Sequence, residues 1–504
     1  MKLKSIISIL GGVMLLSACT DLSEDLYDKV GSGDYGKTPA EVETIVGRAY
    51  SSLRGGASDG VNFYPTSEFV FFVPSVASDE CVIPTRTPND DWYDGGMYLD
   101  IQRHQWKPDN PKLWALWKYA YNGIAATNAI IYQVEQSGLD EEASKPLFAE
   151  LKCLRAYYYY KLLDWYGNVP IEISYIVENI PETSSRADVY KFIEEELTGN
   201  INYLPTEGYG RFTQNAANLL LARLYLNSEV YIGQARWNDC LTVCSKISGQ
   251  LEPDYFTSFK TENQTSKEII FSIPYDNKMG TLGNFLHSMT FHYEQKWAIS
   301  ATGNYQWCGN GISAQPGLYS AFEETDIRRK SILMGPQIDL RTGSTIIMPA
   351  SGNPLVYTEE ITDITKSPQN EGGRLNKYEV KEGVAWERDH DLVLMRYAEV
   401  LMMQAESNIR LGNAGAARPF IEQIRSRAGL TTPETIDLNF IDQELRREFV
   451  FEDHRRTDNI RFGTYYGAWW EKPADSADKH TGLFPIPAQE IAKNNKLKQN
   501  PGYN

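Results

Sequence analysis

The sequence predicts an all-α-dominated fold: a scaffold of tetratricopeptide-like helix pairs with one irregular, loop-rich insert containing short strands. Three observations predict it. Apolar side chains recur at spacings of three, four and seven in the stretches 37–267 and 390–504, as on the buried face of a helix. Gly and Pro stand where those helices begin and end. Between Glu268 and Asp389 the helical period is largely lost, and Gly, Asn, Pro and Thr are frequent.

The first segment is set apart from the fold. Lys2 and Lys4 precede an apolar stretch from Ser5 to Leu16, too short to span a bilayer, and then Ser17, Ala18 and Cys19. Residues 1–18 read as a signal peptide. Leu16-Ser17-Ala18-Cys19 resembles the bacterial lipobox, so Cys19 is the expected lipidation site and residues 19–36 a tether. Several acyl chains on one residue would hold the chain stably to a membrane. Removal of Lys2 and Lys4 takes the formal charge from −17 to −19. The acidic run Asp21 to Asp25 resembles the surface-export signal of Bacteroidetes lipoproteins.

The helices follow in order. Lys112 to Glu135 carries Trp114, Trp117, Tyr121, Ile124 and Ile131 on one face, with Pro111 just before it. Pro146 to Trp165 repeats the pattern and stops at Gly167. Thr213 is placed to cap Gln214 to Asn227, and Trp237 to Ile247 follows. Leu392 to Leu411, Gly415 to Ala428 and Ile441 to Asp458 complete the set. Ala216–Ile247 and Leu394–Ala428 are helix–turn–helix units of repeat-like length, which bury their faces by stacking on neighbours. Ile269 to Ile273 and Ser344 to Met348 are expected to be short strands in the 268–389 insert. A stretch so long without regular elements is more often functional than idle.

Composition narrows the function classes. A net charge of −17 disfavours nucleic acid, which needs a basic face. Five cysteines remain after Cys19, none in a C-x-x-C, so small buried apolar side chains are expected in place of a disulfide framework or zinc site. Glu444, Glu448 and Glu452 share a helix face with Arg447 and Arg455 near. A glycosidase sets two carboxylates across a cleft, so this row reads as a structural ion-pair network. No phosphate loop, G-x-S-x-G or H-E-x-x-H occurs. The expectation is a protein that is not an enzyme.

Several stretches, in order along the mature chain, resemble the SusD/RagB family. The run Leu151 to Tyr160, continuing through Trp165-Tyr166-Gly167 to Pro170, is similar to the family's hallmark helix. Arg211-Phe212-Thr213, Leu394 to Glu406, Ile421 to Gly429 and Glu444 to Gly463 are similar to later motifs, with Asp453 where the family has Gly. Leu483 to Pro487 and Gln499 to Tyr503 resemble the closing motif. The resemblance implies an outer-membrane lipoprotein facing the cell exterior. It implies a nutrient-capturing lid over a SusC-like TonB-dependent transporter partner. Most members bind glycans. The RagB branch binds peptides, and a lid without strong ligand binding of its own is a further alternative. No cofactor is implied.

The ligand site is sought in loop aromatics. With 31 Tyr, 19 Phe and 11 Trp, the chain has more rings than helix faces need. Sugars present C–H faces to rings and hydroxyls to Asp, Asn or Arg. Trp114, Trp117 and Trp165 lie on apolar helix faces and read as core, and Trp469 and Trp470 as packing. Two loop clusters remain: Asn89, Asp91, Trp92 and Tyr93 in an early loop, and Tyr293, Trp297, Tyr305 and Trp307 in the insert. In glycan-binding relatives, the resemblance implies, the platform comes from these two regions. Trp92 and Trp307 are the first candidates, then Trp297 and Tyr305, with Tyr93, Asp91 and Asn89 beside them. Asp90, Asp91 and Asp94 offer calcium as an alternative, though their spacing is not that of an EF-hand.

Overall fold

A computed structural model describes residues 38–54, 70–276, 286–295, 308–380 and 390–503. Helices build its scaffold. Pro39–Ala49 starts at Thr38, whose side chain accepts from the Glu41 amide in a capping box. It lies against Pro111–Glu135 and Glu141–Trp165. Asn110 caps the first of these, accepting from the Lys112 and Leu113 amides. The second begins at Glu141, not at Pro146. Asp140 accepts from the Ala143 amide, and Glu141 and Glu142 suit the positive helix start. Pro146 therefore sits inside the helix. These two long helices approach closely where Gly123 meets the Tyr158 ring, since any Cβ there would overlap it.

A helix that the sequence pattern does not announce, Arg186–Asn200, follows with Ser185 and Asp188 as its capping box. Thr213 caps Gln214–Leu226 as expected. From there the scaffold stacks serially: Gln214–Leu226 on Trp237–Cys244, that helix on Tyr397–Arg410, and Tyr397–Arg410 on Ala414–Arg427 and Leu438–Glu448. Each pair covers its neighbour's apolar face, as in helical repeat arrays.

Two expected helices are corrected. Leu392–Arg396 is a strand, and the helix starts only at Tyr397. The strand pairs antiparallel with Ile269–Ile273, bringing Ile269 opposite Arg396 and Ile273 opposite Leu392. A short apolar run fits a buried strand as well as a helix, and this ladder decides it. The chain between them thus leaves and re-enters the scaffold at one place. The expected helix Ile441 to Asp458 is two helices, Leu438–Glu448 and Arg455–Phe462. Between them Phe451 (φ 61°) and Asp453 (φ 60°) are left-handed, which no helix accommodates. Asp453 thus occupies a conformation that favours the Gly of the related motif, and its carboxylate accepts from Lys161 Nζ at 2.7 Å.

The insert is held by very short ladders. Cys81–Val82 pairs with Ser313–Ala314, Ile332–Leu333 with Arg374–Leu375, and Gly335–Pro336 with Val356–Tyr357. Ser344 to Met348 is not a strand: it makes only the single bridges Ile338–Thr345 and Ile347–Pro354. A short run of β-branched residues does not make a strand where turns close on both sides, as Gly343 (φ 71°) and Gly352 (φ 73°) do here. Cys81, Cys153, Cys240, Cys244 and Cys308 are all buried, with no disulfide among them.

The carboxylate row is a buried ion-pair network. Glu444 faces Arg328, Arg425 and Arg447. Glu448 faces Arg328, Arg396 and Arg427. Glu452 takes Lys377 and Arg396. Burial alone would push these carboxyls up. The surrounding guanidiniums outweigh it and hold Glu444 and Glu448 at about 2. Arg455 turns instead to Asp79 and Asp442. The network pins the Leu392–Arg396 strand, the Ile327–Ser331 turn and the Leu438–Glu448 helix together.

Candidate functional site

The early loop is tied off at its base. Arg86 and Asp91 exchange backbone hydrogen bonds at 2.8 and 3.1 Å. Beyond them the backbone is unusual: Asp90 (φ 56°), Trp92 (φ 67°), Asp94 (φ 43°), Gly95 and Gly96 are all left-handed. For a bulky residue such as Trp92 this is a strained conformation, of order 1–3 kcal/mol, kept only where surroundings enforce it.

Those surroundings come from the insert. Trp92 Nε1 donates to the Gly309 carbonyl at 2.6 Å, and the indole lies against Gly311. Asp91 Oδ2 accepts from Tyr293 Oη at 2.6 Å. The early loop therefore meets the insert through Tyr293, the one ring of the second cluster among the described residues. Partial burial, and then the Asp91 carboxylate, push the Tyr293 hydroxyl above the usual tyrosine range. Behind it, His292 to Gln295 is fixed. The His292 amide donates to Gln295 Oε1 at 3.0 Å, and Gln295 Nε2 donates to Gln337 at 3.1 Å. Burial lowers His292 to about 4, so it is neutral at ordinary pH.

Beneath the loop lies a residue that sequence reasoning missed. Arg86 is fully buried, and its guanidinium donates to the Asn310, Gly311, Pro368 and Glu371 carbonyls and to the Ser313 and Ser367 hydroxyls. Arg374, also buried, shares Ser313 Oγ and the Glu371 carbonyl with it. Burial, and then the Arg374 charge, holds Arg86 well below the usual arginine range. Nothing in the sequence around Arg86 signals this role. Its acceptors lie more than two hundred residues away, and most are backbone atoms.

The individual candidates separate clearly. Tyr93 is 52% exposed, the most open of the loop's rings. Asn89 is exposed beside it, and Asp91 and Trp92 are half-buried. Trp92 thus combines packing with presentation: its N–H and part of one face are spent on Gly309 and Gly311. Trp297, Tyr305, Trp307 and Cys19 lie outside the described residues. Among the described residues no group of three or more His, Cys, Asp or Glu is arranged to hold a metal ion, the Asp90–Asp94 loop included.

Trp117 and Trp165 are core, at 4% and 1% exposure. Trp114 is not, which corrects its assignment. It is half-buried, with its indole N–H donating to Glu490 at 2.8 Å and Lys118 over its ring. Trp469 and Trp470 pack as expected, against His104 and against Val82, Ile361 and Ile364. What the loop presents chemically is ring surface flanked by an amide and carboxylates, a combination that stacks on sugar faces and hydrogen-bonds hydroxyls.

Comparison with known proteins identifies the family. A model described as "SusD family" matches residues 267–479, and one described as "Starch-binding associating with outer membrane" matches residues 76–226. The chain is 26% identical to the starch-binding protein SusD of Bacteroides thetaiotaomicron, over 88% of this chain and 86% of that one. Its fold matches the surface glycan-binding protein A from the same organism, with a TM-score of 0.75 and 22% identity, over 93% of this chain and 100% of that chain. The complex of that protein with laminarihexaose gives a TM-score of 0.72 at 22% identity, over 92% and 99%. The two family matches together span well over half the sequence and meet the same scaffold and insert described above: the chain belongs to the SusD family.

Proposed function

We propose that this protein is a surface lipoprotein that captures neutral glycan chains and passes them to a SusC-like TonB-dependent transporter. In this reading Cys19 carries the lipid anchor and the outer membrane is its site. The observation that carries the reading is the contact of the ring-bearing early loop with the insert, remote in sequence, at Asp91–Tyr293 and Trp92–Gly309. Trp92 and Tyr93 supply rings from the early loop. Trp297, Tyr305 and Trp307 are assigned as the insert's contribution to the platform. Asn89 and Asp91 supply partners for hydroxyls. The names of relatives support the same class: one is a starch-binding protein and another a surface glycan-binding protein solved with laminarihexaose. No catalytic step and no cofactor are assigned. The buried carboxylates Glu444, Glu448 and Glu452 are paired with arginine and lysine side chains and serve the fold.

Calorimetric titration of the mature protein against starch, laminarin and other neutral oligosaccharides, with a peptide digest beside them, tests it. The expected result is heat with one glycan class, lost in Trp92→Ala or Trp307→Ala. Heat with peptides alone would move the assignment to RagB-like capture. Binding that survives both variants would remove the platform from this site.

A further inference from the structure

The insert carries a groove of about 620 Å³ that the proposed function does not use. Its size is that of ligand sites, about 300–1,000 Å³. None of its lining residues belongs to the Asn89–Gly96 loop or to the Tyr293–Gly309 wall. Ile327, Leu333 and Met334 give it an apolar side, and Tyr319 a ring. The Arg329 guanidinium stacks over that ring, 4.0 Å from its centre. Arg329 Nε is buried without a hydrogen-bond partner among the described residues, and neither Arg329 nor the exposed Lys330 makes an ion pair there. Of the two carboxylates lining the groove, Asp326 is fully committed to Arg328, at 2.9 and 2.8 Å. Only Glu324 opposes the two cations. The groove is therefore locally positive in an acidic protein. Asn376 and Thr325 add neutral groups suited to hydroxyls.

We propose that this groove is a second saccharide site, selective for sugars bearing a carboxylate or sulfate. A guanidinium held flat on a ring keeps its fork pre-organised for a planar or tetrahedral anion, where a free arginine would lose rotamer freedom on binding. Lys330 adds a point charge at the rim. The sugar rings lie along the apolar side and Tyr319. This site stands independently of the Trp92 platform, which takes neutral chains.

Titration of the mature protein with an oligogalacturonate and with a sulfated galactan oligosaccharide tests it, each against the neutral oligosaccharide of the same backbone. Binding of at least one anionic probe is expected to exceed its neutral counterpart and to weaken with salt. It falls tenfold or more in Arg329→Met and in Lys330→Met, and stays unchanged in Trp92→Ala. Arg329→Lys, which keeps the charge but not the fork, separates lost recognition from disturbed packing by retaining part of the affinity. Anionic binding that ignores both substitutions, that disappears in Trp92→Ala, or that is absent for both probes overturns the proposal, as does preference for an acidic tetrapeptide. Failure here leaves neutral-glycan capture untouched, and loss of neutral binding alone leaves this groove standing.

Discussion

Gly311→Ala tests the platform without touching an aromatic residue. A Cβ at position 311 would sit 2.5 Å from Trp92 Cζ2 and 2.9 Å from Cδ2, far inside van der Waals contact. The indole must move or the insert backbone must yield. The backbone is the stiffer choice, because Arg86 holds the Gly311 and Asn310 carbonyls together. The indole is only half-buried, so it is the part that moves, and its 2.6 Å hydrogen bond to Gly309 goes with it. Overpacking costs about 1–3 kcal/mol, and the lost hydrogen bond lies within that range. Unfolding entropy of about 2.1 cal/mol/K per residue gives roughly 1 kcal/mol/K for a chain of this length, so melting falls by only about 1–3 °C. Glycan binding responds more. A misplaced ring forfeits an aromatic contact worth about 0.5–1.5 kcal/mol, hence a two- to tenfold rise in Kd. Titration calorimetry beside tryptophan emission measures both. A shifted emission with parental affinity would remove Trp92 from the platform. Unchanged emission would refute the packing argument itself.

Three further outcomes follow from the same physical reasoning. Arg396→Met leaves Glu268, Glu448 and Glu452 short of a buried cation. Breaking such a cluster costs about 3–5 kcal/mol, so melting should fall by about 3–5 °C, and a change under 1 °C by scanning calorimetry would contradict it. Glu80 is buried, accepts from the Phe451 amide at 3.0 Å, and is pushed up to about 7 by burial. An unfolded glutamate titrates near ~4.3, so its contribution to stability is complete below that pH and is lost as pH rises through about 7. Glu80→Gln cannot ionise. Its melting temperature relative to the parent should therefore climb between pH 5 and pH 8, at up to about 1.4 kcal/mol per pH unit, and a difference independent of pH would refute the assignment. Cys19→Ser should release the protein from the membrane fraction and abolish fatty-acid labelling. Retention in that fraction would sink the lipobox reading.

Legibility followed the range of the interactions. Thr213 announces its helix because the cap acts over three residues. Tyr93 and Trp92 stand out because rings among Asp, Asn and Gly have no helix face to fill. The Leu392–Arg396 strand is not legible: a run of Leu, Val, Leu and Met fits either period, and its partner lies beyond the whole insert. The break after Glu448 hides for a similar reason, since Phe451 and Asp453 are left-handed through contacts, not composition. Its one local trace is Asp453 standing where the related motif has Gly. Trp114 misled because helical spacing places a side chain on a face but does not say how deeply a neighbour such as Glu490 covers it.

The chain buries arginine in two different ways, and the difference bears on the site. Around the Glu444–Glu452 row, Arg328, Arg396 and Arg427 face carboxylates, so their charge is compensated where it lies. Between the early loop and the insert, Arg86 and Arg374 make no ion pair among the described residues and face carbonyl, amide and hydroxyl oxygens instead. Backbone carbonyls cannot rotate away, so one guanidinium fixes the relative positions of the segments at 310–313 and 367–371. Arg86 also exchanges backbone bonds with Asp91, so the loop inherits that rigidity. Arg86→Met should then do what no platform substitution does: loosen Trp92 and Tyr293 together.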